Sequence, residues 1–316
     1  MKIVCVQFDP LLAQVQRNID HVDKMIADLK PEDVDILVLP EMAFTGYVFS
    51  GKDHIRPYLE DAETGPSVQW AKAQAVRFNA YVQVGYPEKR IFNEEDQFHE
   101  EFYNSICFVS PEGKLLTTYA KHFLYFTDET WAEEGPEFVG FGICMDVNPY
   151  QFKTEFTAFE FAHFHLKKET NLILCSMAWN RDDEAPKEEK VEPKAKSAKS
   201  KARKEETEER DRKHPESISH EADGDDDEWE DQHEGTLSEA ALRSESIQYW
   251  AARMTPYYET KKMGDKETYI VVSNRSGIEE GILFVGSTCV LKLSASGPEV
   301  VGMLSAYDEG VLKVEI

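Results

Sequence analysis

The feature that most constrains this chain is a repeated alternation. Short apolar runs rich in β-branched residues are separated by stretches with helical spacing. Residues 3–8 read as a buried strand, and Val15, Ile19, Val22, Ile26 and Leu29 then recur at helical intervals over 14–29. Asp35-Ile36-Leu37-Val38-Leu39 is a second buried strand, stopped at Pro40. A helical stretch near 66–79 leads into Tyr81-Val82-Gln83-Val84-Gly85. The runs 102–109 and 114–119 flank Pro111-Glu112-Gly113, a hairpin turn signal. Residues 138–143 read as a strand, 154–168 as a helix and 172–175 as a strand. After a long polar segment, 238–254 reads as a helix. Strands near 268–273, 283–285, 288–293 and 311–315 close the chain. Strand–helix alternation followed by a meander implies an α/β protein with mixed sheets. Two sheet layers enclosed by helices accommodate this many elements, and no solenoid-type repeat is present.

The polar segment, at about 181–235, has almost no apolar residues. Lys187 to Lys204 is rich in lysine, and Glu205 to Glu234 is dominated by Glu and Asp. Such a stretch cannot bury enough apolar surface to offset its conformational entropy, so disorder is expected. Strand and helix patterns resume after it. The reading is therefore one domain over 1–316 with a charged surface insertion, tolerable because loop-closure cost rises slowly with length. The lysine cluster reads as a solvated spacer, with a nuclear address or a partner site as the alternative.

Charge and cysteine usage narrow the function classes. The formal net charge of −25 is the wrong sign for binding nucleic-acid phosphates or an anionic membrane surface. Five widely spaced cysteines without a CxxC argue against a disulfide framework or a structural zinc site. His163 and His165, two residues apart in the expected helix, would face different sides and do not suggest a metal pair. Nothing resembles a nucleotide loop or a membrane span, and no cofactor is expected. A soluble cytoplasmic protein fits this pattern, with the nucleus as a second location.

Three strand ends carry reactive side chains, which is where α/β sheets usually build their sites. Glu41 follows the run Leu37-Val38-Leu39-Pro40 among apolar neighbours, where desolvation would raise its pKa and suit it to general-base work. Lys121 lies between Tyr119-Ala120 and His122-Phe123-Leu124, and once buried it needs a carboxylate partner that Glu41 could supply. Cys144 lies at a strand-to-turn junction, Gly142-Ile143-Cys144-Met145-Asp146, where the next backbone N–H can donate to an oxyanion. Each alone has an ordinary explanation: a structural cysteine, a capping glutamate, an exposed lysine.

Their ordered combination resembles the carbon–nitrogen hydrolase, or nitrilase, superfamily. The resemblance extends to Gln7 and Asn18, to Tyr103-Asn104-Ser105 before the hairpin, to Ser176-Met177-Ala178-Trp179, to Ser273 through Glu279, and to Phe284-Val285-Gly286-Ser287. It implies an αββα sandwich and a Glu41–Lys121–Cys144 triad, with Met145 N–H beside Lys121 at the oxyanion. Members often carry a second glutamate between lysine and cysteine. Glu129, followed by Trp131, is the expected residue, with Glu133 and Glu134 as rivals.

Within the superfamily, residues 142–152 with Glu155 and Phe156 are most similar to fungal protein N-terminal asparagine/glutamine amidohydrolases. That similarity implies polypeptide substrates with a free N-terminal Asn or Gln, deamidated to Asp or Glu through a thioester. Asp146 and Glu155 are candidates for holding the substrate ammonium, Asp146 being equally readable as a loop-ordering residue, and Trp179 is a candidate pocket wall. A small-molecule amidase on the same triad is the nearest alternative. A non-catalytic adaptor presenting the charged insertion is the alternative of another class.

Overall fold

In the computed structural model, residues 1–94, 97–181, 239–259 and 266–316 are described. The charged segment expected over 181–235 lies outside them, apart from Arg181.

Each expected apolar run contains a strand, and further strands, not expected from the sequence, form at 180–181, 276–279 and 297–303. In chain order the strands are β1 (Lys2–Gln7), β2 (Ile36–Val38), β3 (Tyr81–Glu94), β4 (Gln97–Val109), β5 (Leu115–Ala120), β6 (Phe141–Ile143), β7 (Leu172–Met177), β8 (Asn180–Arg181), β9 (Thr268–Asn274), β10 (Ser276–Glu279), β11 (Ile282–Val285), β12 (Cys289–Ser294), β13 (Gly297–Met303) and β14 (Gly310–Glu315). The helices are α1 (Val15–Met25), α2 (Lys52–Ile55), α3 (Pro66–Phe78), α4 (Glu160–Lys167), α5 (Glu239–Arg253) and α6 (Thr255–Glu259).

Two mixed sheets result. The first has the order β14-β1-β2-β3-β4-β5, and the second β13-β12-β9-β7-β6, while β10-β11-β8 forms a small third sheet. In the first, β1, β2 and β3 are parallel and the flanking pairs antiparallel; in the second, β6, β7 and β9 are parallel. Period-2 alternation decides which side each residue serves. Ile3, Cys5, Ile36 and Val38 meet Leu174, Val271 and Val290 between the sheets. Val4, Val6, Leu37, Val82 and Val84 point outward, against Ile19 and Val22 of α1 and Val68, Ala71 and Ala75 of α3. On the far side, α4, α5 and α6 cover Ile173, Cys175, Ile270, Val272 and Leu291. The layers are therefore αββα, as expected. Hydroxyls also bridge the sheets, Ser176 donating to Leu39 O at 2.7 Å and Ser273 to Val38 O at 3.1 Å. Among the described residues, no helix is long and apolar enough to cross a membrane.

Two expected elements shrink. The strand at 138–143 is reduced to β6, since Phe138 leaves the sheet to pack on Phe123 and Phe161. The helix at 154–168 begins only at Glu160, because Phe159 before it takes a left-handed conformation, φ +46°, that breaks helical continuity. Arg253 packs against the preceding segment. Its guanidinium donates to Val147 O and Phe156 O and lies over the rings of Phe156 and Phe159. Within α4, His165 is buried and His163 exposed, so the two do face different sides.

Candidate active site

Glu41, Lys121 and Cys144 come from three strand ends and meet at one end of the sandwich. Glu41 lies in the turn after β2. Its backbone approaches β3 so closely that a Cβ on Gly85 would stand 2.5 Å from Pro40 O and 2.6 Å from Glu41 Cα. Lys121 immediately follows β5, and its carbonyl accepts the N–H of Gly135 at 2.7 Å, another approach only glycine permits. Cys144 follows β6 directly with φ +38°, a left-handed conformation that costs strain for a non-glycine residue and marks a sharp turn.

All the charged groups are fully buried. Lys121 Nζ donates to Glu41 Oε1 at 2.7 Å and to Asp128 Oδ2 at 2.5 Å. Glu41 Oε2 accepts the Ala178 N–H at 2.7 Å, and Asn104 Nδ2 reaches Glu41 Oε1 at 2.6 Å and Asp128 Oδ1 at 2.9 Å. Tyr47 OH and the Tyr125 N–H also donate to Asp128. The turn carrying Tyr47 is fixed from behind: Glu279 accepts the N–H groups of Tyr47 and Val48, and Arg275 pairs with Glu279 at 2.6 Å.

Electrostatics follow from this packing. Burial raises the pKa of Glu41, only partly opposed by Lys121 and the Asn104 amide. Burial alone would depress Lys121, but Asp128 and Glu41 outweigh it and hold the ammonium firmly charged. Burial, then the Glu41 charge, pushes the Cys144 thiol well up, while Lys121 and the Ala178 N–H pull it back. A buried neutral thiol beside a carboxylate of raised proton affinity and a permanent cation is suited to proton transfer from sulfur to Glu41.

The cysteine opens onto a cavity of about 120 Å³ lined by Tyr125, Cys144, Met145, Asn148, Phe152, Trp179 and Asn180. Trp179 thus lies in the wall as expected, edge-on to Trp250. Asn148 is held by Tyr249, whose hydroxyl donates to its Oδ1 at 2.6 Å. Two larger clefts, one around Thr170 and Tyr257 and one around Asp9 and His21, contain none of the three reactive residues.

Three expected residues fall elsewhere. Glu129 is exposed, and the carboxylate on Lys121 is its neighbour Asp128. The rivals also point away: Glu133 pairs with Lys52 at the surface and Glu134 accepts from Tyr150 OH. Asp146 is fully buried with both oxygens engaged, Oδ1 by the N–H groups of His122 and Phe123 and Oδ2 by Ile143 N–H and Tyr119 OH. It orders the nucleophile loop and leaves no position for a substrate ammonium. Glu155 is exposed and outside the cavity lining. Sequence reasoning missed Asp128 although a signal existed. Residues three apart on a 3-10 turn share a face, and Asp128 shares one with the buried Trp131.

Comparison with known proteins now fixes the family. The carbon-nitrogen hydrolase model matches residues 2–162. This chain belongs to the carbon-nitrogen hydrolase family. Its members hydrolyse carbon–nitrogen bonds, and the enzyme is a hydrolase of amide C–N bonds. It is 29% identical to a protein N-terminal amidase of Schizosaccharomyces pombe, over 100% of this chain and 99% of that one. A crystal structure of an N-terminal amidase with an Asn-Glu-Ala peptide superimposes with a TM-score of 0.71 at 24% identity, covering 100% of this chain and 97% of the other. A complex with a Gln-Gly peptide gives 0.68 at 23% identity, covering 99% and 96%. At these identities the structural likeness establishes the fold.

Proposed function

We propose that this hydrolase deamidates the N-terminal Asn or Gln of polypeptides, giving Asp or Glu and ammonia through a thioester on Cys144. One observation carries the chemistry: a thiol that lines a small cavity also interacts electrostatically with a buried Glu41–Lys121–Asp128 network. End-to-end similarity to the S. pombe amidase supports the peptide-end substrate.

In this reading, Glu41 takes the Cys144 proton and the sulfur attacks the side-chain carboxamide carbon. Lys121 and the Met145 N–H stabilise the oxyanion. Glu41 protonates the departing ammonia, then activates the water that hydrolyses the thioester. Asp128 holds Lys121 in place. Recognition of the α-ammonium falls to the cavity itself. Its walls present the rings of Tyr125, Phe152 and Trp179 and the amides of Asn148 and Asn180. Behind Cys144, two buried carboxylates share one lysine, a cluster that is net negative when both are ionised, and the ring faces of the lining also attract cations.

Mass spectrometry of Asn-, Gln- and acetyl-Asn-starting peptides tests the proposal. Amide-to-acid conversion is expected only for peptides with a free amino end. Conversion of free amino-acid amides alone would instead identify a small-molecule amidase. A Cys144→Ala protein with every biochemical and cellular effect intact would favour the adaptor reading.

A further inference from the structure

We infer that Asn104 is a positioning residue of the reaction: its amide aims the Glu41 carboxylate and favours its ionised form beside a second carboxylate. The inference rests on the reading of Glu41 as the base for Cys144.

Asn104 lies in β4, fully buried, and bonds to each of the three charged residues of the buried network. Its carbonyl accepts the Lys121 N–H at 2.8 Å. Its side-chain nitrogen spans the two carboxylates, 2.6 Å from Glu41 Oε1 and 2.9 Å from Asp128 Oδ1. A primary amide has two N–H donors, one for each carboxylate. The opposite orientation would turn the amide oxygen towards two anionic oxygens at the same distances. The observed orientation has a cost, for Asn104 Oδ1 is buried with no hydrogen-bond partner among the described residues. A fold that tolerates an unsatisfied buried oxygen here does so for the sake of the two N–H bonds.

The surroundings explain what those bonds do. Facing Glu41 are Lys121 from the end of β5, Asp128 from the following 3-10 turn, Cys144 from the end of β6, and Tyr47 from Glu41's own loop. Lys121 is the one cation among them, and it is shared between both carboxylates. An apolar residue in place of Asn104, lacking both N–H donors, would leave two carboxylates competing for one ammonium. The cluster would then bind a proton more tightly, and Glu41 would be unready to take one from sulfur at neutral pH. Asn104 separates the two anions without adding charge, which a second lysine or arginine could not do.

The test compares Asn104→Leu, which has no donor, and Asn104→Ser, which keeps one, with the parent enzyme. Two pH profiles are measured, kcat/KM on an Asn-starting peptide and the rate of Cys144 alkylation by iodoacetamide, which needs no substrate. With Leu, the acid limb of both profiles should move to higher pH by about one unit or more, with Ser giving a smaller shift in the same direction. At neutral pH kcat should fall by roughly 10- to 100-fold while KM changes by about two-fold or less. Ser fits the same space without a clash, so a Leu protein that fails to fold still leaves the comparison with Ser. Acid limbs that stay in place, with losses confined to melting temperature or spread equally over all pH values, would overturn the inference. Alkylation limbs that move in a protein with no peptide deamidation would sink the substrate reading and leave Asn104 standing.

Discussion

At the scale of single residues, the carboxylate that holds Lys121 separates this chain from a reading of its letters. Asp128 and Glu129 are adjacent acids, and only the phase of one 3-10 turn decides which faces inward. Replacing Asp128 by Asn removes a buried charge from Lys121 and should lower kcat/KM by about 100-fold or more, the cost typical of disturbing a preorganised oxyanion donor. Glu129→Gln, at the surface, should stay within about two-fold of the parent. Steady-state deamidation kinetics on both variants check this, and equal losses would return Glu129 to the site. Glu41, Lys121 and Cys144 were legible because each ends an apolar strand and their order matches a family pattern. Asp146 was ambiguous because burial and charge alone do not reveal whether backbone N–H groups have already filled a carboxylate. Glu155 belonged to an expected helix that starts only at Glu160, and its side chain is exposed.

At the scale of elements, the strands and α1 and α3 follow their apolar spacing closely, whereas the outer half of the β3–β4 ribbon does not. Its residues beyond Glu88 are largely polar or exposed, and cross-strand pairing rather than apolar patterning extends it to Glu94. Close approach between elements is equally hard to see from one sequence. Gly85 reads as the end of a strand, yet its missing side chain makes room for the Glu41 turn. Gly85→Ala should therefore displace Glu41 and reduce kcat by more than about 10-fold while the protein still folds, since a shift near 1 Å at a reacting group is costly. Circular dichroism with single-turnover kinetics distinguishes this outcome from global unfolding, and a fully active Gly85→Ala enzyme would show that the turn yields without consequence.

At the scale of the whole molecule, buried carboxylates set how stability responds to pH. Burial raises Glu60 to about 7 and Asp146 to about 6, against ordinary values of 4.5 and 3.8. Between the ordinary and raised values, the folded protein binds more protons than the unfolded chain. These two groups thus contribute stability that is complete below about pH 4 and is lost as pH rises through about 6 and 7. The melting temperature should accordingly decline over that interval, and Glu60→Gln, which keeps an uncharged group against Ser67, should flatten the decline. A melting curve series from acid to neutral pH decides it; an unchanged slope in Glu60→Gln would remove Glu60 from the explanation.

All five cysteines are buried, yet their situations differ in one respect. Cys5, Cys107, Cys175 and Cys289 are sealed inside the core layers, and burial raises every one of their thiols. Cys144 lines the cavity of about 120 Å³. Among the cysteines, a small thiol-directed oxidant or electrophile meeting the folded enzyme is therefore expected to reach Cys144 first, the atom proposed to attack the amide. Under the proposed mechanism, thiol oxidation should cost activity before architecture, and a reductant should restore it from the first, reversible stage.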